Sequence, residues 1–228
     1  TPVVNADGEW DKTPIEEAKL GESTGFLSDE QREAVTNWWL VAKGRANTPN
    51  WDIASTCMVG AKRGLLLVEA KAHHSELKSN PKPIDKKPSD GSERNHEQIG
   101  RAIGEANAAL NKEIPGWNLS RDSHYQLANR LAWTWKLASM GIPVVLVYLG
   151  FLCATEMSDQ GEPFVDCADW TRVVLGHSQG VVPEQAWGRD IKVGSASFIP
   201  LIRVWTQEFE VQTAVPPGFA PASQTRGR

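Results

Sequence analysis

Apolar positions along this chain switch repeatedly between a helical and a strand-like period, and each switch marks an element. From Ser28 the spacing is helical: Ala34, Val35, Trp38, Trp39 and Ala42 share one stripe. Ser28-Asp29-Glu30-Gln31 has the form of a capping box, Ser28 capping and Gln31 reaching back. Two strand-like runs follow, Trp51 to Val59 and Gly64 to Ala72, joined by a short Gly-Ala-Lys-Arg-Gly link that predicts a hairpin. Residues 78–92 are rich in Pro and Lys and read as a loop too polar to pack. Helical spacing returns from about Glu93 to Leu110 and from about Ser123 to Met140, where Gly141 and Pro143 stop it. Val144 to Leu152 is almost continuously apolar, the pattern of a strand buried on both faces. One more helix, capped by Asp166 or Asp169, and one or two strands complete the order.

That order makes the chain α/β: a central mixed β-sheet flanked by α-helices, in one domain over residues 28–210. Residues 1–27, polar and interrupted by Gly and Pro, read as an irregular N-terminal arm, and 211–228 as a flexible C-terminal tail. No internal repeat is visible.

Composition narrows the function. With 228 residues, 40% of them hydrophobic, and ten Trp, the chain can bury a sizeable core. A net charge of −4 gives no global basic field, although Lys78, Lys82, Lys86 and Lys87 lie close together and can track a phosphate backbone. Cys57, Cys153 and Cys167 are odd in number and lack C-x-x-C spacing. They argue against a disulfide framework and a structural zinc site, and for a reducing, cytoplasmic setting. No signal peptide is evident, and the longest apolar run, Gly141 to Ala154, is too short to span a bilayer.

Gly176-His177-Ser178-Gln179-Gly180 fits the G-x-S-x-G elbow of serine hydrolases. That chemistry needs a His after the Ser, and His73, His74, His96, His124 and His177 all precede Ser178. The elbow also needs a helix immediately after the Ser, where Val181-Val182-Pro183 favours extended backbone. Trp170, Val173, Val174 and His177 instead fit one helical stripe that ends at Gly180.

The stronger constellation is Asp52 on the first strand of the hairpin with Glu69-Ala70-Lys71 at the end of the second. Glu69 and Lys71 share a face because side chains alternate along a strand. With a two-residue turn at Ala61-Lys62, Asp52 falls opposite Lys71 and Ala54 opposite Glu69, which puts all three charges on one face. A register one residue different would send Asp52 to the other face. A carboxylate at the end of Leu65-Leu66-Leu67-Val68 needs a compensating charge or metal. Oxygen donors of this kind suit Mg²⁺ or Mn²⁺, and a nearby Lys can orient a water. Together these are the parts for metal-assisted phosphodiester hydrolysis.

The pattern of Asp52, Glu69-Ala70-Lys71, a preceding helix and a following helix–strand unit resembles the PD-(D/E)XK nuclease superfamily over about residues 28–152. The resemblance implies a restriction endonuclease-like core and a Mg²⁺-dependent deoxyribonuclease acting on DNA. It also implies Asp52, Glu69 and the Ala70 backbone carbonyl as metal ligands, with Lys71 serving the attacking water. It adds Glu33 as a supporting carboxylate from the first helix and Gln126 as a polar residue facing the site from a later one. Oligomeric state is left open, a homodimer being one option.

Plainer roles compete with these. Asp52 can be a strand-end acid, and Glu69 with Lys71 a surface ion pair, though an edge strand would alternate where Leu65 to Val68 does not. His73 and His74 read as loop residues. The alternative function is a catalytically inactive nucleic-acid-binding or interaction module on the same fold, which the net negative charge favours.

Overall fold

The computed structural model describes residues 17–21, 25–42 and 47–206. The core elements are a hairpin of β3 (Ile53–Val59) and β4 (Lys62–Lys71), helices α2 (Asp90–Glu113) and α3 (Tyr125–Ser139), and β5 (Val144–Leu152). α4 (Cys167–Ser178), β6 (Ile191–Val193) and β7 (Ala196–Thr206) follow. Before the hairpin come β1 (Ala18–Lys19), α1 (Asp29–Trp39) and β2 (Asn50–Trp51). The result is an α/β protein whose five-stranded mixed sheet has the order β3-β4-β5-β7-β6. β4, β5 and β7 run parallel, and β3 and β6 are antiparallel edges.

Local chemistry sets the helix ends. Ser28 Oγ accepts from the Gln31 N–H (3.2 Å) and Gln31 Oε1 accepts from the Ser28 N–H (3.0 Å), so the capping box forms. Asp166 caps α4 by accepting from the Asp169 N–H at 2.7 Å. α2 starts at Asp90, three residues earlier than the apolar spacing indicates, because Ser89 caps it. The apolar period begins only once a helix turns toward the core. After α3, Gly141 adopts φ +84°, a left-handed stop open to glycine.

All four helices pack on one side of the sheet. In the paired registers Leu65 and Leu67 stand beside Val144 and Leu146, and these residues join α3's Leu131 and Trp133 and α4's Trp170 in one buried cluster. α1 reaches the same cluster through Trp39, whose ring meets the edge of Trp133 at 5.9 Å. The expected sheet flanked by helices is therefore covered on one face only among the described residues.

Two other expectations change. Residues 17–21 are not an irregular arm: Ala18 pairs with Trp51 and Lys19 with Asn50, and Leu20 is fully buried. Two residues are too few to show alternation in sequence. The hairpin turns at Gly60-Ala61, not Ala61-Lys62, since Val59 pairs with Lys62 and Ile53 with Val68. Gly60 has φ +60°, which the first central position of a tight hairpin turn requires. This shifts the register by two, so each residue keeps its face. The 211–228 tail and the end of the domain at 210 lie outside the described residues. Among the described residues no helix is long and apolar enough to cross a membrane.

Gly150 brings β5 against α4: a Cβ there would lie 2.7 Å from the fully buried Trp170 ring. Gly150→Ala is expected to cost about 1–3 kcal/mol through overpacking, read as a lower urea midpoint with unchanged slope. An unchanged midpoint would contradict this contact.

Candidate active site

The charged residues gather at the carboxyl end of β4, where ligands bind in open α/β sheets. Glu69 is the centre and is only 2% exposed. Its Oε1 accepts from Lys71 Nζ and, at 2.7 Å, from Gln126 Nε2. Its Oε2 accepts from Arg130 Nε at 2.6 Å. Arg130 also donates to Asn129 Oδ1 (2.8 Å), and its guanidinium lies 4.9 Å from the centre of the Trp51 ring. An apolar strand thus carries a carboxylate to its end because three donors, two of them cationic, meet it there.

Asp52 sits at the break between β2 and β3. Its Oδ2 accepts from the Ala70 N–H at 2.6 Å, which ties the end of the first strand to the middle of the motif. Asp52 stays open to the cleft. Loss of solvent on its protein side, with Glu69's charge adding, raises its pKa above the ordinary carboxylate value; the Ala70 N–H and the charges of Lys71 and Arg130 oppose the rise. A strand residue directs its N–H and C=O to the same edge. The Ala70 carbonyl therefore points to the Asp52 side, beyond the last β3 pairing at Ile53–Val68.

These groups line a cleft of about 510 Å³ together with Glu17, Tyr125 and Glu76. Of the sequence-assigned residues, Asp52, Glu69, Ala70, Lys71 and Gln126 all meet here. Glu33 does not: it is an exposed residue of α1, outside the cleft lining, and the carboxylate at the cleft rim from the N-terminal side is Glu17. α1 spends its buried face on the Trp cluster, which turns Glu33 outward. Glu76 is occupied by the strand end, accepting from the Ala72 (2.5 Å) and His73 (3.1 Å) N–H groups.

Arg130 is the main residue the sequence reading missed. It lies one helical turn after Gln126, on the same face of α3, and that spacing was the available signal. His177, in the last turn of α4 as its place in the apolar stripe indicates, is outside the cleft lining. Its ring lies 5.0 Å from that of His124. Burial, with the charges of His124 and Lys71 acting in the same direction, pushes its pKa down to about 4. Ser178 is 2% exposed and donates to the Leu175 carbonyl at 3.3 Å, within α4 as the sequence indicates. His73 and His74 are not plain loop residues: His73 bridges to Pro163 and its Nδ1 pairs with Ser75 Oγ (2.8 Å), while His74 opens a short 3-10 turn, His74–Glu76, and its Nε2 pairs with Asp169 Oδ2 (3.0 Å). The Lys-rich loop is pinned more than expected, with the Lys82 N–H donating to the Arg121 carbonyl (2.8 Å) and Nζ lying over the Tyr125 ring.

The donor set has the chemistry of a hard divalent cation: two carboxylates and a backbone carbonyl, all oxygen. Among the described residues no cluster of three or more His, Cys, Asp and Glu is placed to hold a metal, so the remaining positions would fall to water. Asp52 and Glu69 are balanced by Lys71 and Arg130. Glu69 already accepts from three side chains, so a bound cation would compete with them, and Lys71, on its flexible stem, is the donor best able to move aside. No family model, curated protein or solved structure matches the chain.

Arg130→Met leaves a buried carboxylate short of one cation and is expected to destabilise by about 3–5 kcal/mol. Adding Glu69→Gln should restore at least about 1 kcal/mol; strictly additive losses in urea unfolding would contradict the pairing. His177 gives a pH effect. Its folded pKa lies below the ordinary value of about 6.5, so in that window the unfolded chain binds a proton that the native one refuses. Stability should fall between about pH 6.5 and pH 4, and His177→Gln should flatten that fall. An unaltered pH profile would contradict the burial of a neutral ring.

Proposed function

We propose that this chain is a metal-dependent nuclease on a restriction endonuclease-like core, hydrolysing phosphodiester bonds of DNA. The observation that carries the reading is the convergence of Asp52, Glu69, the Ala70 backbone and Lys71 in one open cleft at the carboxyl end of β4. The hairpin, the helical crossover and the parallel β5 agree with the arrangement that the PD-(D/E)XK resemblance implies.

Asp52, Glu69 and the Ala70 carbonyl would hold Mg²⁺ or Mn²⁺, which when bound supplies Lewis-acid polarisation of a phosphoryl oxygen and a more acidic water. Gln126 and Arg130 fix the Glu69 carboxylate from the helix side, so its orientation survives the departure of Lys71. Lys71, once released from Glu69, directs its ammonium toward the cleft, where it orients the attacking water and offsets charge growing on the phosphoryl oxygens. Water oxygen bonds to phosphorus, the ester P–O bond breaks, and the departing oxygen takes up a proton. Ser178 has no part in this.

Two observations favour the second reading, an inactive nucleic-acid-binding module on the same fold. Both Glu69 oxygens already accept from side chains, and the chain's net charge is −4.

A cleavage assay on single- and double-stranded DNA and on RNA, with and without Mg²⁺ or Mn²⁺, separates the two. The expected result is metal-stimulated cleavage reduced at least about 100-fold in Asp52→Ala, Glu69→Ala and Lys71→Ala, with Ser178→Ala near wild type. Absence of metal-stimulated cleavage of every substrate would favour the binding module.

A further inference from the structure

Between β4 and α2 the chain runs through the Lys-rich loop, and residues 79–82 of that loop are stitched to the start of α3. The His124 N–H donates to the Ser79 carbonyl (3.2 Å), the Tyr125 N–H to the Asn80 carbonyl (3.0 Å) and the Lys82 N–H to the Arg121 carbonyl (2.8 Å). Arg121 in turn fastens to α2, donating from Nη1 to the His96 carbonyl at 3.0 Å. Gly100 makes room for it, since a Cβ there would lie 3.1 Å from that nitrogen. Lys82 is thus held through its backbone and is half-buried, whereas Lys78, Lys86 and Lys87 are exposed.

The Lys82 ammonium lies 5.4 Å from the centre of the Tyr125 ring, and Tyr125 lines the cleft that holds Asp52 and Glu69. A cation is therefore fixed at the cleft rim. Its surroundings oppose its charge: burial first, then the like charge of Arg121, lower its pKa from the ordinary lysine value, and among the described residues no carboxylate offsets them. Arg121 differs, because Asp122 Oδ1 takes its Nε at 2.9 Å. An aromatic face compensates a partly desolvated ammonium only in part. α3 also starts beside Lys82 without a side-chain cap, so the positive end of its dipole adds to the same field.

We propose that Lys82 is a phosphate anchor for nucleic acid in the cleft, taking a backbone phosphate that flanks the scissile one. This role rests on the nucleic-acid reading of the cleft and adds the path by which a strand leaves it, over Tyr125. A lysine ammonium binds phosphate as a point charge and needs no bidentate geometry. A backbone contact of this kind sets the register of the strand and carries no sequence information. Ordering distinguishes Lys82 from the other three lysines of the loop. A solvated side chain loses its freedom when a ligand binds, whereas Lys82 is already placed by three backbone hydrogen bonds along its segment and by the Tyr125 ring.

Fluorescence anisotropy on the full chain tests this, with labelled single-stranded DNA, duplex DNA and RNA oligonucleotides in EDTA, so that binding is read without cleavage. The expected result is binding that Lys82→Met weakens at least about fivefold at about 50 mM salt. The slope of log Kd against log salt, from about 50 to about 200 mM, should fall by about one. Lys82→Arg should retain most of the affinity, and Lys86→Met with Lys87→Met should change it less than Lys82→Met does. Far-UV circular dichroism should be unaltered; if Lys82→Met folds poorly, Lys82→Gln should show the same loss. Unchanged affinity and slope in a folded Lys82 variant overturn the anchor. So does an equal loss in the Lys86 and Lys87 variant, which makes the loop a diffuse positive surface, and so does a wild type that binds none of the three at about 50 mM salt. Binding that depends on Lys82 in a chain that cleaves nothing supports the anchor and overturns only the nuclease reading. Cleavage with binding indifferent to Lys82→Met does the reverse.

Discussion

The structure turns on a single carboxylate that cannot stand alone. Glu69 is carried inward by an otherwise apolar strand, and a bare charge at that depth would cost several kcal/mol. Three donors meet it: Lys71 from its own strand, and Gln126 and Arg130 from α3. That requirement docks α3 across the end of β4 and orients the helix so that Leu127, Leu131 and Trp135 enter the core. It also draws Trp51 under the Arg130 guanidinium and so holds the segment carrying Asp52 beside the Ala70 N–H. Satisfying one buried charge builds the walls of the cleft.

The donors are not equivalent. Gln126 and Arg130 reach Glu69 from a helix whose neighbouring residues are buried, and Arg130 is further fixed by Asn129 and the Trp51 ring. Lys71 depends on a flexible four-carbon stem and sits on the cleft side. The arrangement pairs a rigid support for the carboxylate with one displaceable cation, which is what a site that exchanges an internal ion pair for an external ligand needs. The sheet's two faces differ: the charged cleft and the packed core lie on the helix side, while the other carries Val68, Val147 and Leu201 at its centre with Lys62, Lys192 and Arg203 around them.

Much of this was legible in sequence, for physical reasons. Four consecutive apolar residues before Glu69 marked a central strand, and period-two alternation put Glu69 and Lys71 on one face whatever the exact register. That is why a hairpin placed two residues off still united Asp52 with both. Correct use of Gly60, which alone suits the turn's positive φ, would have fixed the register. The capping box at Ser28 and the Gly141–Pro143 stop are local rules, and local rules hold here. What sequence did not show depends on long-range pairing: β1 is two residues long, and Glu33 faces solvent because α1 commits Val35 and Trp39 to the core. One-sided helix packing was also hidden, since an apolar strand reads alike whether or not a helix covers it. Arg130 was visible as a one-turn neighbour of Gln126, but a buried Arg is unusual enough that helix periodicity alone assigns it to solvent.

On our proposal, Asp52, Glu69 and the Ala70 carbonyl form a site for a hard divalent cation. Calorimetric titration of the protein with Mn²⁺ in the absence of nucleic acid tests it most directly. One saturable site is expected, lost in Asp52→Ala and tightened in Lys71→Met, where the internal ion pair no longer competes. Absence of saturable binding, or binding unchanged in Asp52→Ala, would contradict it.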